Sequence, residues 1–205
     1  LWVGWFGFNA GSALASNGDA GMAALVTHLS AAVASLVWLV IEWVRFGKPS
    51  VVGLVTGTIA GLATVTPASG FVGPLGGIAC GLLGGVICYV AVMVVKRSFR
   101  IDDSLDVFAV HGIGGMTGTL ATALLLTTAG GVGLPEGRGA IDQLLIQGQG
   151  VLVCAVWSII VSYIILKVLQ LTVGLRVSDD KETQGLDLSS HGETGYNAPF
   201  GGSLS

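Results

Sequence analysis

The stretch VFAVHGIGGMTGTLATALLLTTAGGVGLP, residues 107–135, contains no Asp, Glu, Lys or Arg, and its one ionisable side chain is His111. An uncharged run of this length can cross a bilayer as a helix, which needs about 20 apolar residues. An imidazole at bilayer depth costs free energy unless it is paired or lines a polar path. His111 is therefore the first candidate functional residue, and a packed structural histidine is the alternative.

The composition of the chain is that of a membrane protein. Of its 205 residues, 52% are hydrophobic and 10% are charged, and the mean hydropathy is +0.82. So few charges cannot cover a soluble globule of this size, and we expect the chain to lie in a lipid bilayer. The net charge of −3 and the lack of a basic patch interleaved with aromatic residues argue against nucleic acid as a partner.

Five weakly charged stretches are long enough to form spanning helices: residues 20–43, 51–66, 71–95, 107–128 and 143–169. A sixth apolar segment, residues 1–15, has neither an initiator Met nor the pattern of a signal peptide, and we expect it to begin within a helix of a longer protein. The predicted fold class is an all-α polytopic membrane protein. Residues 1–173 hold about six spans, the first truncated, and residues 174–205 form a polar tail.

The basic residues favour one face of the expected bilayer. If the first segment leaves the membrane near Asn17, alternating spans place eight of the nine Lys and Arg residues on one face and only Arg138 on the other. Basic loops mark the cytoplasmic face. We therefore expect a multi-pass protein of the cell membrane, plasma or inner, with a cytoplasmic C-terminus.

Glycines recur at four-residue spacing in three predicted helices. They are Gly53, Gly57 and Gly61, then Gly77, Gly81 and Gly85, and then Gly114 and Gly118. Lipid tails are as apolar as helix surfaces, so helices in a bilayer associate through close backbone contacts at such small residues. The spacing therefore predicts a tight helix bundle.

Two connections between predicted spans contain residues typical of turns and of helix caps. Residues 66–77 contain two prolines and several glycines and are predicted to form a non-cytoplasmic turn. Asp103 and Ser104 precede the His111 helix, where side-chain oxygens can accept hydrogen bonds from free N–H groups. We expect both residues to cap that helix.

The usual signals of catalysis and metal binding are missing. Cys80, Cys88 and Cys154 form no CxxC pair, which supports neither a zinc site nor a disulfide framework, and we expect packed thiols. The chain has no phosphate-binding P-loop and no nucleophile elbow. The sequence predicts no enzyme, no cofactor and no metal.

One stripe of the first segment is aromatic and then polar. Leu1, Trp5, Phe8 and Ser12 are spaced i, i+4, i+7 and i+11, which places them on one side of a helix. An aromatic face attracts a cation by about 2 kcal/mol when desolvated, and a hydroxyl can accept a hydrogen bond from that cation. The spacing alone leaves ordinary packing as the alternative.

Four blocks of sequence resemble the ammonium transporter (Amt/Mep/Rh) family. They are WVGWFGFNAGS at 2–12, TPASG at 66–70 with Gly61 before it, DVFAVHG at 106–112, and a tail with GLR at 174–176, GLD at 185–187 and SHGE at 190–193. The blocks occur in the family's order and cover essentially the whole chain.

The resemblance implies a homotrimer with eleven helices per subunit, in which two five-helix inverted repeats enclose a narrow hydrophobic pore. The chain resembles the C-terminal half, which comprises helices six to eleven and the cytoplasmic tail. Inverted repeats place the transport site at their interface. The resemblance therefore implies that the first half is supplied elsewhere.

The resemblance also implies roles for single residues. Ser12 would belong to an outer ammonium-recruitment site, Phe8 to an aromatic gate beneath it, and His111 to a pair of pore histidines. The other implied pore residues are Trp5, Leu1, Val107 and Thr66, with Asp106 near the cytoplasmic mouth. The partner histidine, a second gate phenylalanine and an outer tryptophan are expected in the other half.

In the tail, the resemblance implies a regulatory segment that folds against the cytoplasmic loops and receives a PII signal protein. The matching residues are Gly174, Arg176, Gly185, Asp187, His191 and Gly192. A disordered terminus is the alternative.

The implied function is the transport of ammonium, with methylammonium as an analogue. Moving the bare ion into a medium of low dielectric would cost many kcal/mol, so the ion should lose its proton and cross as ammonia while paired histidines relay the proton. Potassium has no proton to lose, which would give selectivity without a size filter.

Two other functions compete with transport. An ammonium sensor would bind the ligand at the same site and signal through the tail with little flux. A water or small-solute channel would carry paired Asn-Pro-Ala boxes, and the nearest triplet, Asn197-Ala198-Pro199, has the wrong order and lies in the polar tail. His28, inside the second span, has no implied role and is expected to be packed or hydrogen-bonded.

Overall fold

The structure is a computed structural model, and it describes residues 1–195. Within these residues the regular elements are all helical. The α-helices are α1 (Trp2–Gly11), α2 (Gly18–Phe46), α3 (Val51–Val65), α4 (Pro74–Met93), α5 (Gly114–Leu125), α6 (Ala140–Thr172) and α7 (Asp179–Gln184). A 3₁₀ turn follows α3 at Thr66–Ala68, and π-helical turns lie at Val94–Ser98, Phe108–Ile113 and Asp187–His191.

Five of the described helical segments are long and apolar enough to cross a membrane. They are Gly18–Phe46, Val51–Ala68, Pro74–Ser98, Phe108–Leu125 and Ala140–Thr172. The five predicted spans are thus confirmed as helices, although the third begins at Pro74 rather than at residue 71. The first segment forms only the ten-residue helix α1.

The contacts between residues divide the chain into two compact units, Leu1–Val153 and Cys154–Ser205. Unit 1 holds α1 to α5 and the start of α6, and unit 2 holds the rest of α6 and the tail. The predicted boundary at residue 173 follows a change in composition rather than in contacts, and it stays a prediction.

Unit 1 is organised around α2, against which both α3 and α4 pack. Ser30 of α2 donates a hydrogen bond from its hydroxyl to the carbonyl oxygen of Gly61 at 2.8 Å. A Cβ atom at Gly81 of α4 would lie 2.6 Å from the carbonyl oxygen of the same serine, and one at Gly57 would lie 2.6 Å from Cβ of Trp38. The predicted tight contacts at the glycines of α3 and α4 are confirmed.

The helix of His111 is packed through glycines as well. A Cβ atom at Gly114 would lie 3.1 Å from Sγ of Cys88, and one at Gly118 would collide with the backbone carbonyl of Thr64. Cys80 and Cys88 are buried free thiols, as predicted, whereas Cys154 is free but exposed on α6. The packing prediction for Cys154 is therefore wrong within the described residues.

The two ends of unit 1 differ in their connections. At one end, the turn after α3 meets the segment after α5, where the Val132 amide donates to the carbonyl of Phe71 at 3.0 Å, and this confirms a turn at residues 66–73. At the other end, the carboxylate of Asp103 accepts hydrogen bonds from the amides of Val107 and Phe108, each at 2.9 Å. Capping by Asp103 is confirmed, but Ser104 directs its hydroxyl to the Asp102 carboxylate at 3.5 Å instead.

The contact of Gly118 with Thr64 gives a test of the packing. We expect Gly118→Ala to lower the free energy of unfolding by about 1–3 kcal/mol, because the added methyl group must displace backbone. Gly115→Ala, one turn away on α5, has no neighbouring atom within 4 Å of the new Cβ and is the control. Thermal unfolding of the two purified variants in detergent measures the difference, and equal melting temperatures would contradict the packing described here.

Candidate functional site

Helix α1 places two aromatic rings side by side. Trp5 and Phe8 are separated by one turn, and their ring centroids lie 6.1 Å apart in an edge-to-face arrangement with an interplanar angle of 75°. Phe8 is 61% exposed within the chain. The helix ends at Ser12, whose hydroxyl donates a hydrogen bond to the carbonyl of Phe8 at 2.6 Å. Phe8 therefore faces outward from this bundle, whereas Trp5 is half-buried.

The end of α3 supplies a hydroxyl to the same place. The indole N–H of Trp5 donates to Oγ1 of Thr66 at 2.8 Å, and the Thr66 hydroxyl donates in turn to the carbonyl of Leu62 at 2.8 Å. Pro67, which has no backbone N–H, follows directly and helps to end the α-helix in a 3₁₀ turn. The chain thus changes direction where Thr66 meets Trp5.

His111 lies on the π-helical turn that precedes α5. Its imidazole stacks on the Trp5 indole with ring centroids 6.0 Å apart and an interplanar angle of 18°, and its side chain is exposed within the chain. Single π turns inside α-helices occur frequently at functional sites. Nothing in the residue pattern predicted this turn.

These side chains line a groove with a volume of about 400 Å³. Its walls come from α1, from the end of α3, and from the π turn with α5. The lining residues are Trp5, Phe8, Ala63, Thr66, Pro67, His111, Gly115 and Thr119. Four of them, Ala63, Pro67, Gly115 and Thr119, were not predicted as site residues. The four-residue spacing of His111, Gly115 and Thr119 is a signal that could have identified two of these four.

The groove is suited to a small and weakly polar guest. Its surface is mostly aromatic or aliphatic, and its polar side-chain groups are the His111 imidazole, the hydroxyls of Thr66 and Thr119, and the Trp5 N–H, which already donates to Thr66. An imidazole can donate or accept a hydrogen bond. No carboxylate lines the groove among the described residues, so an ion would meet no charge there that offsets its loss of hydration.

The remaining predicted pore residues lie outside the lining of this groove. Leu1 and Val107 are exposed at the starts of their helices, and Ser12 lies one turn beyond Phe8. Asp106 forms an ion pair with Lys96, Oδ1 to Nζ 2.8 Å. It also borders a separate cavity of about 250 Å³ at the end of the bundle that carries the basic residues.

A neighbouring side of α1 packs against α2. His28 contacts the rings of Trp2 and Phe6 at centroid distances of 5.3 Å and 6.3 Å, but its side chain is exposed within this chain. The prediction of a packed or hydrogen-bonded histidine is therefore supported only by these ring contacts. Asn9, which the sequence analysis did not single out, is buried and donates to Oγ1 of Thr27 at 3.0 Å.

The tail residues belong to unit 2. Gly174, Gly185 and Gly192 all have positive φ angles, of 83°, 91° and 69°, which other residue types adopt only with strain. The carboxylate of Asp187 accepts a hydrogen bond from the amide of Gly195 at 3.1 Å. Arg176 pairs with Glu182 at 3.6 Å, and His191 ends a π turn.

The last ten residues, which include the triplet at 197–199, lie outside the described part of the chain. Among residues 1–195, no three His, Cys, Asp or Glu side chains are placed to hold a metal ion.

Comparison with known proteins identifies relatives over nearly the whole chain. The sequence model of the Ammonium Transporter Family matches residues 1–196. The ammonium transporter Amt1 of Archaeoglobus fulgidus is 48% identical over 199 residues, which are 96% of this chain and 50% of that protein. The ammonium transporter of Aquifex aeolicus is 45% identical, over 96% of this chain and 46% of that protein.

Solved structures agree with these relatives. A structure named Sensor Amt Protein superposes with a TM-score of 0.85 at 33% identity, over 93% of this chain and 46% of the other. Mep2 of Saccharomyces cerevisiae superposes with a TM-score of 0.77 at 36% identity, over 88% of this chain and 42% of the other.

The chain spans about half the length of the curated relatives that it matches. The match of the family model, from the aromatic segment of α1 to the tail, extends over far more than half of the chain. The quoted curated relatives are named as ammonium transporters, which is a class of proteins distinct from enzymes. The chain belongs to the ammonium transporter family.

Proposed function

We propose that the whole protein transports ammonium and that the residues lining the groove beside His111 form one side of the transport pore. The observation that carries this proposal is the stack of His111 on Trp5 inside an apolar groove that also holds Phe8. An aromatic ring can attract the ion before it is desolvated, and an imidazole can exchange hydrogen bonds with neutral ammonia.

The apolar lining favours ammonia over the ion within the groove. Burial of an uncompensated charge costs far more than the roughly 2 kcal/mol that a desolvated cation–π contact returns. Ammonium can avoid this cost by leaving its proton behind, and paired histidines would relay that proton separately. Potassium cannot avoid it, because it has no proton to release.

We propose that the chain forms the second half of an eleven-helix fold with inverted repeats, helices six to eleven and the tail. Two observations support this: the chain covers about half of its relatives, and the groove leaves His111 and Phe8 exposed. An imidazole facing lipid is costly, so another protein surface should cover it. That surface would carry the partner histidine, the second gate phenylalanine and the outer tryptophan.

Four further residues are proposed to lie along the ammonium pore or at its two ends. Ser12 would help to recruit ammonium at the outer entrance, Leu1 and Val107 would line the pore beyond the groove, and Asp106 would lie at the cytoplasmic mouth. The position of Asp106 beside Lys96, at the basic end of unit 1, supports the last assignment.

The assembly and location are proposed on the same basis. The protein would be a homotrimer, as the family resemblance implies. It would lie in the cell membrane with a cytoplasmic C-terminus, because basic residues mark the cytoplasmic face. The tail would receive a PII signal protein. Its three positive-φ glycines and the Asp187 hydrogen bond support a defined fold for the tail rather than a disordered end.

A transient current after an ammonium pulse tests transport against sensing. The protein, as its host cell makes it, is placed in proteoliposomes and receives ammonium, methylammonium or potassium. We expect current with ammonium and methylammonium and none with potassium. Saturable ammonium binding with neither current nor ammonia flux would favour the sensor, which the transporter names of the quoted curated relatives make the less favoured function.

Substitution of His111 tests its part in selectivity. We expect His111→Ala to abolish the proton-coupled ammonium current or to admit potassium, because the variant removes the imidazole that would exchange hydrogen bonds with ammonia. His28→Ala is the matched control, since His28 contacts the rings of Trp2 and Phe6 and does not line the groove. Unchanged current and selectivity in His111→Ala would exclude the proposed role.

Phe8 provides a second test within the groove. Its ring is mostly exposed in the chain, so Phe8→Ala should change the ammonium affinity or the ammonium-to-potassium ratio more than it changes the melting temperature. Phe6→Ala, which removes a ring packed on His28, is the comparison. A large loss of stability with normal transport in Phe8→Ala would show that the ring only packs.

A further inference from the structure

The Trp5 indole contacts two groove residues at once through different parts of the ring system. Its N–H bonds to Thr66 at 2.8 Å, and its face stacks on the His111 imidazole. We infer that Thr66 is a positioning residue that acts through Trp5 to fix the plane of the His111 ring. This inference rests on the proposed transport function and adds to it the means by which the histidine is held.

The hydrogen bonds allow one arrangement of donors and acceptors. The indole of Trp5 can only donate, and a threonine hydroxyl has one hydrogen and two acceptor positions. Because the Thr66 hydrogen goes to the Leu62 carbonyl, a lone pair of the oxygen is free to accept from Trp5. The two bonds therefore fix the position of the oxygen and, through it, of the indole.

Thr66 is a rigid anchor for this purpose. It stands where α3 ends, between Val65, which is fully buried, and Pro67, whose ring restricts φ. Among the residues described, two side-chain hydrogen bonds join α1 to other helices, Trp5 to Thr66 and Asn9 to Thr27. The bond to Thr66 is the one on the groove side.

The stack holds the imidazole without occupying its nitrogen atoms. Within residues 1–195, the His111 ring makes no hydrogen bond, and its ring contact is with Trp5. Contact through the ring face leaves both nitrogens available for ammonia and for the partner histidine. A hydrogen bond from the protein to either nitrogen would have blocked one of these uses.

Four variants separate this role from simple packing. Thr66→Val keeps the shape but removes the acceptor, Thr66→Ser restores the hydroxyl, and Trp5→Phe keeps an aromatic ring without the N–H donor. Thr56→Val is the matched control, because the Thr56 hydroxyl also bonds the carbonyl four residues earlier on α3, that of Val52 at 2.8 Å, and has no indole partner.

The first measurement is the initial ammonium current in proteoliposomes. We expect Thr66→Val to lower it about threefold to tenfold, as loss of one hydrogen bond permits, with Thr66→Ser and Thr56→Val close to wild type. The double variant Trp5→Phe with Thr66→Val should be no worse than the more impaired single variant, because both remove the same bond. Additive losses, or a Thr66→Ser variant as impaired as Thr66→Val, would overturn the inference.

The second measurement does not depend on transport. In protein labelled with ¹⁵N at histidine, the ring signals of His111, assigned by their absence in His111→Ala, should shift in Thr66→Val and not in Thr56→Val. Unchanged signals in Thr66→Val would overturn the inference. If wild-type protein carries no current, the transport proposal fails, and the histidine signals alone decide whether Thr66 positions the ring.

Discussion

The close approach of helix backbones at glycine is the constraint on which the rest of this structure depends. Helices in lipid gain little from burying apolar surface against one another, so their association relies on dispersion contacts and hydrogen bonds at short range. Ser30 shows this directly, since its carbonyl lies against Gly81 while its hydroxyl bonds to Gly61. A side chain larger than hydrogen at either glycine would force α3 or α4 away from α2.

The glycine contacts also set the geometry of the groove. Gly118 of α5 rests on the backbone of Thr64, two residues before the threonine that holds Trp5. This contact, which does not involve α1, holds the helix that carries His111 in register with the helix end that carries Thr66. Trp5 then joins α1 to both, through one hydrogen bond and one ring stack.

Much of the fold could be predicted because spanning a bilayer requires long apolar helices, and packing them in lipid requires small residues at the contacts. Weakly charged stretches predicted the spans, glycine spacing predicted the packing faces, and Asp103 predicted the start of a helix. The π turn at His111 could not be predicted, because a single extra residue in a helical turn leaves no periodic signal. Asn9 was missed because one polar residue in an aromatic segment does not reveal its partner, Thr27, eighteen positions away.

The candidate site was only partly predictable for a related reason. Residue spacing placed Trp5 and Phe8 on one stripe, and the absence of charge singled out His111, but the stripe could not show that Thr66 would meet the indole. That contact depends on the angle between α1 and the end of α3, which long-range packing determines. The charge-free groove follows from the same packing, because glycine and alanine let the walls approach. The polar side-chain groups of its described lining are one imidazole, two hydroxyls and the indole N–H of Trp5, which is bonded to Thr66. The path proposed along this groove can discriminate between cations by their ability to lose a proton. Ammonium becomes neutral ammonia and avoids the cost of burying a charge, whereas potassium stays charged and does not.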